Sequence, residues 1–316
     1  MNKLAFSLVL GKIGIALVTL MIVSFAVFFA TAFLPGDVTE ILLGQSATPE
    51  AVAGLRHAMN LDQPAIFRFF LWIGGLIQGD LGVSYANNMP VADLIGSRFA
   101  NSMKLAAATT LFAVPIALTT GILAAMFEGS LFDRMVTVTS ITLISVPEFL
   151  VATIAVLVFA VYLKWLPAIV TVSEVRSFGE VLRVYAMPVI VLTFVISAQM
   201  IRMTRAAVIG TLKTSYVEMA LLKGASRCRM VLRHALPNAL GPIVNAVALS
   251  LSYLVGGVII VETIFNYPGI AKLMVDAVAT RDLPLVQSCA MIFCVAYLLL
   301  ITLADIISII ANPRLR

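Results

Sequence analysis

The sequence predicts an all-α, polytopic membrane protein with about six transmembrane helices, a large external loop and a cytoplasmic helix pair. Three observations carry that prediction. Of the 316 residues, 61% are apolar and 12% charged, and the mean hydropathy is +1.06; soluble domains carry roughly twice that charge. Six apolar windows are long enough to cross a bilayer, for which about 20 residues are needed. Basic residues also alternate in density from loop to loop. A water-soluble globule is excluded, and so is a disordered chain, which needs low hydrophobicity and high net charge. The net charge of +5 does not point to nucleic acid, because membrane chains gather Lys and Arg on one side for topological reasons.

The windows run from Ile13 to Leu34, Leu105 to Phe127, Met135 to Leu163, Val184 to Ile201, Pro242 to Phe265 and Val286 to Ala311. The fourth is the shortest, closed by Arg202 and Arg205. Lys3 and Lys12 precede the first, and Ala30-Thr31-Ala32 resembles a cleavage site. Its apolar stretch is nevertheless too long for a secretion signal, whose core runs about 7–15 residues, so a retained helix is expected.

An even number of spans places both termini on one face. With them lie the Glu128 to Arg134 turn and the Arg202 to Asn238 segment. This face holds 12 of the 21 basic residues and the acids Glu128, Asp133 and Glu218 only, so the positive-inside rule makes it cytoplasmic. The chain then divides into 1–34, a cytoplasmic N-terminus and first helix; 35–104, an extracytoplasmic cap; 105–311, a transmembrane core carrying a cytoplasmic loop at 211–240; and 312–316, a cytoplasmic tail. Within the cap, Pro49 to Met59 and Ala65 to Ile77 read as helices between Pro-marked turns. A connection this long is expected to be folded and functional.

Direct chemistry is not expected. No GxxxxGK[ST], HExxH or GxSxG occurs, and no carboxylate pair has catalytic spacing. His57 and His234 are too few for a histidine metal site, and Cys228, Cys289 and Cys294 form no CxxC. Neither a metal nor a bound cofactor is expected on this chain, and the two halves show no internal repeat of the kind common in secondary transporters.

The loop between the fourth and fifth windows holds the most information. Ser215 or Thr214 is placed to cap a helix, with Glu218 three residues beyond Ser215 as a capping box requires. Gly224 interrupts, and Ala225 to Ala235 resumes helical periodicity. Met219, Ala220, Leu222, Met230, Val231 and Leu232 are apolar in a segment expected to lie in water. An amphipathic helix pair off the membrane wants a partner's groove.

The pattern Glu218-x-Ala220-x3-Gly224-x11-Leu236-Pro237, with Tyr216 just before it, resembles the EAA loop of ABC-importer permeases. Met219 at the second position and His234 where isoleucine is usual depart from the general pattern. His234, with Asn238-Ala239 after the Leu-Pro pair, is similar to the oligopeptide/dipeptide/nickel branch. Further segments resemble the B-type permease of that branch in order and spacing. They are Leu34-Pro35-Gly36-Asp37, Leu61-Asp62-x-Pro64, Gly79-Asp80-Leu81-Gly82-x-Ser84 and Pro90-Val91 early on, and Ser145-x-Pro147-x-Phe149 and Trp165-Leu166-Pro167 in the middle. Val261-Glu262, Phe265-x-x-Pro268-Gly269, Arg281-Asp282-x-Pro284, Asp305 and Pro313-Arg314 follow, with Asn312 and Ala271 as departures from the usual Asp and Gly.

The resemblance implies a permease subunit of a binding-protein-dependent importer in the bacterial cytoplasmic membrane, with peptides as the expected cargo. It implies a second homologous permease, two ATP-binding subunits docked on the loop at Tyr216, Glu218, Ala220, Gly224, His234, Leu236 and Pro237, and a solute-binding protein outside. ATP and Mg2+ would be held by the partners, and the docked loop would move as a lever about Gly224. An ion-coupled transporter or channel acting without an ATPase is the alternative, and a scaffold subunit with no path is a further one.

Three acids lie inside apolar windows, Glu148, Glu262 and Asp305. Each costs about 2.5–3.5 kcal/mol on insertion scales and needs a reason. Glu148 follows Pro147, which bends a helix; it either faces the path and attracts a cationic group or is a hydrogen-bonded packing residue. Glu262, one turn before Asn266-Tyr267-Pro268-Gly269, reads as a gate or loop anchor. Asp305 pairs with Arg314 or with a basic residue of a neighbouring helix. Gly256-Gly257 permits close helix approach, within the subunit or towards a second permease.

Overall fold

A computed structural model describes residues 3–33, 36–170 and 177–311. Among them the only β pairing is an isolated bridge between Val83 and Pro90. The helices are α1 (Lys3–Ala32), α2 (Val38–Leu43), α3 (Pro49–Ala58), α4 (Ala65–Gln78), α5 (Val91–Met126), α6 (Leu131–Ser145), α7 (Glu148–Ala155), α8 (Phe178–Leu212), α9 (Ser215–Leu222), α10 (Arg227–Arg229), α11 (Leu236–Ile264), α12 (Ile270–Ala279) and α13 (Leu283–Ala311). Five stretches are long and apolar enough to cross a membrane, and a sixth crossing is formed if the bent pair α6 and α7 counts as one. Leu34, Pro35, Asn312, Pro313, Arg314 and the packing around Gly256-Gly257 lie outside the described residues.

Two compact units emerge, the first comprising residues 1–16, 103–267 and 296–316 and the second 17–102 and 268–295. In the first unit α8 is central, packed along α6 and α11. It has 35 residues, about 52 Å at 1.5 Å per residue, and so exceeds the roughly 30 Å hydrocarbon core. The fourth window is therefore not the shortest span. Arg202 and Arg205 end its uncharged stretch but not its helix, because backbone helicity continues into water where side chains can be solvated or paired. Ser177 begins α8 with a capping box, its hydroxyl accepting the Glu180 N–H while Glu180 accepts the Ser177 N–H. Gly121 lets α5 approach α8 closely: a Cβ there would stand 2.9 Å from the Ile201 carbonyl oxygen and from Thr204 Cβ.

The third window, expected as one bent span, is broken. Val146 (φ −86°, ψ 125°) and Pro147 (φ −57°, ψ 137°) are both extended, and α6 and α7 meet at 99°. Steric clash with the proline ring moves the preceding residue out of the helical region, so two residues leave the helix where a kink was expected. Beyond α7, residues 156–162 continue in wide turns, ending with the Leu163 N–H on the Val158 carbonyl at 2.9 Å.

In the second unit, α2 is capped by Asp37, which accepts from the Thr39 N–H at 2.9 Å and the Thr39 hydroxyl at 2.7 Å. The α3 and α4 bounds fall within a residue of the expected ones, whereas the cap segment also contains α2 and the start of α5. Helix α12 was not expected; its Ile270, Leu273, Met274 and Ala277, at i, i+3, i+4 and i+7, join Val91, Ile95, Leu285 and Cys289 in one apolar cluster. Two sequence motifs 198 residues apart meet beside it. The fully buried Asp282 accepts the Ser84 hydroxyl and the Tyr85 N–H, the latter at 3.0 Å. Ile270 N–H donates to Ser102 Oγ at 2.9 Å and Asn101 Nδ2 to the Pro268 carbonyl at 3.0 Å, so the turn before α12 is tied to α5.

Candidate functional site

The 211–240 segment begins in the last turn of α8, and only Lys213 and Thr214 separate that helix from α9. Thr214 is the residue before α9, but its hydroxyl donates back to the Thr211 carbonyl at 2.6 Å and caps nothing ahead. The expected capping box between Ser215 and Glu218 is not formed: the cap position falls one residue earlier, at Thr214, so Ser215 is the first helical residue and Val217, not Glu218, occupies the third helical position that a box requires. Glu218 remains an exposed acid in the first turn of α9, where the helix dipole favours it.

Helix α9 is held by one side and bare on the other. Val217 is buried, whereas Tyr216, Met219, Leu221 and Leu222 are exposed, Leu222 by 76%. Ala220 is half-buried. The helix ends in a Schellman turn: the Gly224 N–H donates to Leu221 O at 2.9 Å and the Ala225 N–H to Ala220 O at 3.1 Å. Gly224 has φ +81°, a conformation that costs L-residues roughly 1–2 kcal/mol.

The chain then re-enters a helix at Ser226, whose hydroxyl accepts the Arg229 N–H. From Met230 to Ala235 the turns widen, and the Leu236 N–H reaches the Val231 carbonyl five residues back. Pro237 follows, with no N–H to give, so α10, the wide turns and α11 run as one rod. Met230 and Val231, expected to face water, are buried instead, Val231 in a cluster with Val208, Ile209, Ala239 and Ile243; Leu236 packs against that cluster. Their apolarity anchors the rod, and only Met219, Leu222 and Leu232 of the expected apolar set are exposed. The carbonyl of half-buried His234 accepts Asn238 Nδ2 at 2.9 Å and, more weakly, the Tyr216 hydroxyl at 3.4 Å. Tyr216 thereby ties α9 to the rod, while Pro237 itself is exposed.

Sequence reasoning missed one pairing beside this segment. Asp133, at the start of α6, is nearly enclosed and forms a two-pronged ion pair with Arg205 of α8, its Oδ2 lying 2.8 Å from a guanidinium nitrogen. The same oxygen accepts the Gly129 N–H at 2.9 Å. Lys213 and Glu128, 3.4 Å apart, make a second link at the surface. The turn between α5 and α6 is thus fastened to the part of α8 that leads into α9. With the partners 72 positions apart, no local pattern reveals it.

The intramembrane acids occupy three different settings. Glu148 is the first residue of α7, only 7% exposed, and its Oε1 has no hydrogen-bond partner among the described residues. Such an unmade bond costs about 1–3 kcal/mol. Pro147 immediately precedes it, outside the helix. Glu262 is fully buried, and its carbonyl accepts the Tyr267 N–H at 2.8 Å in a turn where Asn266 has φ +49°. Tyr267 in that turn is wholly enclosed, its ring edge-on to Tyr185, and burial raises its phenol above the ordinary range. Asp305 pairs with Lys12 of α1 at 2.7 Å; Arg314, the other partner considered, lies outside the described residues. A cavity of about 1270 Å³ runs along α5, α6 and α8 past Phe112, Ser140 and Ser197, and none of Pro147, Glu148, Glu262 or Asp305 lines it.

Among solved structures, the chain resembles an inward-facing form of the MetNI methionine ABC transporter with a TM-score of 0.55 at 17% identity, covering 69% of this chain and 96% of that one. The fold is shared with a chain of that transporter. Residues 117–316 match the family described as binding-protein-dependent transport system inner membrane component, and residues 5–106 match the corresponding N-terminal family. The chain is 35% identical to the glutathione transport system permease protein GsiC of Escherichia coli O6:H1 and 34% identical to its counterparts in Escherichia coli K12 and Shigella flexneri, in each case over 94% of this chain and 95% of the relative. It belongs to the binding-protein-dependent transport permeases and is a multi-pass inner-membrane subunit of an ABC importer. Such a subunit works with an ATPase and a solute-binding protein.

Proposed function

We propose that this chain forms half of a translocation path for peptide-like solutes and receives work from partner ATPases through α9. The observation that carries the coupling reading is the build of α9: one face anchored by Val217, an end locked at Gly224, and Met219, Leu221 and Leu222 left bare between two long helices. Two ATP-binding subunits, holding ATP and Mg2+, dock on it, one here and one on a second homologous permease. Nucleotide state then shifts the balance between outward and inward openings, which requires different docking free energies in the two states. The peptide reading is supported by identity to glutathione permeases over nearly the whole chain, since glutathione is itself a small peptide.

Both termini and α9 lie in the cytoplasm, and the 35–104 segment faces the solute-binding protein outside. Glu148 faces the path and attracts a cationic group such as a peptide's amino terminus; its enclosed, unpaired oxygen supports that role. Glu262 anchors the turn that ends the fifth span. The chain itself carries out no covalent chemistry.

Leu222→Glu tests the docking reading. The residue is exposed, so the variant should insert and remain stable, while the ATPase no longer co-purifies and uptake is lost. Unchanged co-purification and uptake would refute it.

A further inference from the structure

In the second unit, helix α4 presents Arg68, Leu71, Trp72 and Gly75 on one face, at i, i+3, i+4 and i+7, and all four line a cavity of about 380 Å³. The opposite wall comes from Leu81, Gly82, Val83 and Tyr85 and from Leu283, Pro284 and Gln287 at the start of α13. A space of this size suits a small organic ligand. Its walls are mostly apolar, and Trp72 is braced by Phe28 and Phe69.

Two N–H donors in this wall are unused. Arg68 Nε and Trp72 Nε1 are enclosed, and neither finds an acceptor among the described residues. No ion pair to Arg68 occurs among those residues either. Asp80, the acid on the cavity wall, spends Oδ1 on the Gly82 N–H at 2.9 Å. The wall opposite Arg68 is held in place, because Tyr85 donates its N–H to buried Asp282. Burial raises the Tyr85 phenol, so it stays a neutral O–H within electrostatic reach of Arg68. A guanidinium and an indole N–H, one helical turn apart in an apolar recess, form a receptor for an oxygen anion attached to an apolar body. Guanidinium to oxyanion bonds are among the strong ones.

We infer that the Arg68–Trp72 cavity binds an amphiphilic oxyanion, a carboxylate or phosphate carried on an apolar group. The shared chemistry is the oxyanion between the two donors; its source is either a phospholipid headgroup or a free organic acid. Ile66, Phe70 and Ile77, on the back of α4, are exposed and apolar, as expected of a helix in contact with acyl chains, but the recess itself accepts either source.

Trp72 reports on its own site. The chain has two tryptophans, Trp72 and Trp165, so Trp165→Phe leaves a single indole. The full-length variant in uncharged maltoside micelles is titrated with inorganic phosphate, hexanoate and dihexanoylphosphatidylglycerol while Trp72 emission is followed. The expected result is a saturable change with hexanoate or the lipid, its half-saturation raised about tenfold or more by Arg68→Gln, as loss of a charge-assisted bond implies, and raised less by Arg68→Lys, which keeps the charge. Response to the lipid alone assigns a headgroup, response to hexanoate assigns a soluble organic acid, and response to inorganic phosphate alone, which has no apolar body, overturns the amphiphilic reading. No saturable response to any of the three, or a response undiminished in Arg68→Gln, overturns the proposal.

Discussion

Replacing Gly224 adds a side chain to a residue held at φ +81° in the turn that ends α9. A Cβ built there meets nothing within 4 Å, so crowding contributes no cost and the penalty is that of the left-handed backbone alone. For alanine this is roughly 1–2 kcal/mol; valine, branched at Cβ, costs more, and asparagine, which tolerates this region, costs less. If the turn relaxes, the Gly224–Leu221 and Ala225–Ala220 bonds open together, and α9 changes direction relative to the rod that follows. A penalty of one to two kcal/mol reduces the docking-competent fraction roughly 5- to 30-fold. The assay is co-purification of ATPase subunits with the inserted chain, paired with uptake normalised to the amount in the membrane. Loss should rise from asparagine to alanine to valine while insertion stays constant. Full docking and uptake in Gly224→Val, or equal losses for asparagine and valine, would refute the backbone argument.

Asp133→Ala strands Arg205 beside a nearly enclosed site and should destabilise the chain by about 3 kcal/mol, the lower end for breaking a buried pair, as read from thermal unfolding in detergent; the double variant with Arg205→Met should recover part of the loss. Pro147→Ala removes the ring that excludes Val146 from the helical region, so spin labels at Ile141 and Ile154 should move apart as α6 and α7 straighten. Glu148→Gln should reduce uptake of cationic solutes and spare anionic ones; equal uptake of both would remove Glu148 from the path. Asp37 is held below the ordinary carboxylate range, first by the Thr39 hydroxyl and then by the Thr39 N–H. Its contribution to stability is therefore present above its unfolded value near 4 and is lost as pH falls through the lower folded value; Thr39→Val should flatten that acid limb of the stability profile.

Among the described residues the apolar windows coincide with the five long apolar helices and with the bent pair α6 and α7, because a bilayer demands hydrophobic length and sequence displays length directly. Their ends were less legible. Hydrocarbon thickness limits an apolar run but not a helix, so α5 begins at Val91 and α8 continues through Arg202 and Arg205 to Leu212. Pro147 announced a disturbance, yet its size depends on Val146 leaving the helical region as well. Helix α12 was visible in principle from the spacing of Ile270, Leu273, Met274 and Ala277, but it is short and lies between stronger apolar signals. In the 211–240 segment the glycine was readable because a positive φ admits few other residues. Which apolar residues are bare was not readable, since Val231 and Leu232 are equally greasy and only packing buries the first and exposes the second. The Asp133–Arg205 and Ser84–Asp282 contacts join residues 72 and 198 positions apart, and a single sequence carries no trace of such meetings.

On the proposed function, the chain receives its driving energy from outside itself through α9. Proteoliposomes containing the permease pair alone, then the same vesicles with ATPase subunits, binding protein and ATP, test this by accumulation of a labelled small peptide against its gradient. Accumulation only in the complete vesicles, abolished by Leu222→Glu in otherwise identical ones, is the predicted result. Uphill accumulation by the permease pair alone, driven by an ion gradient, would contradict it.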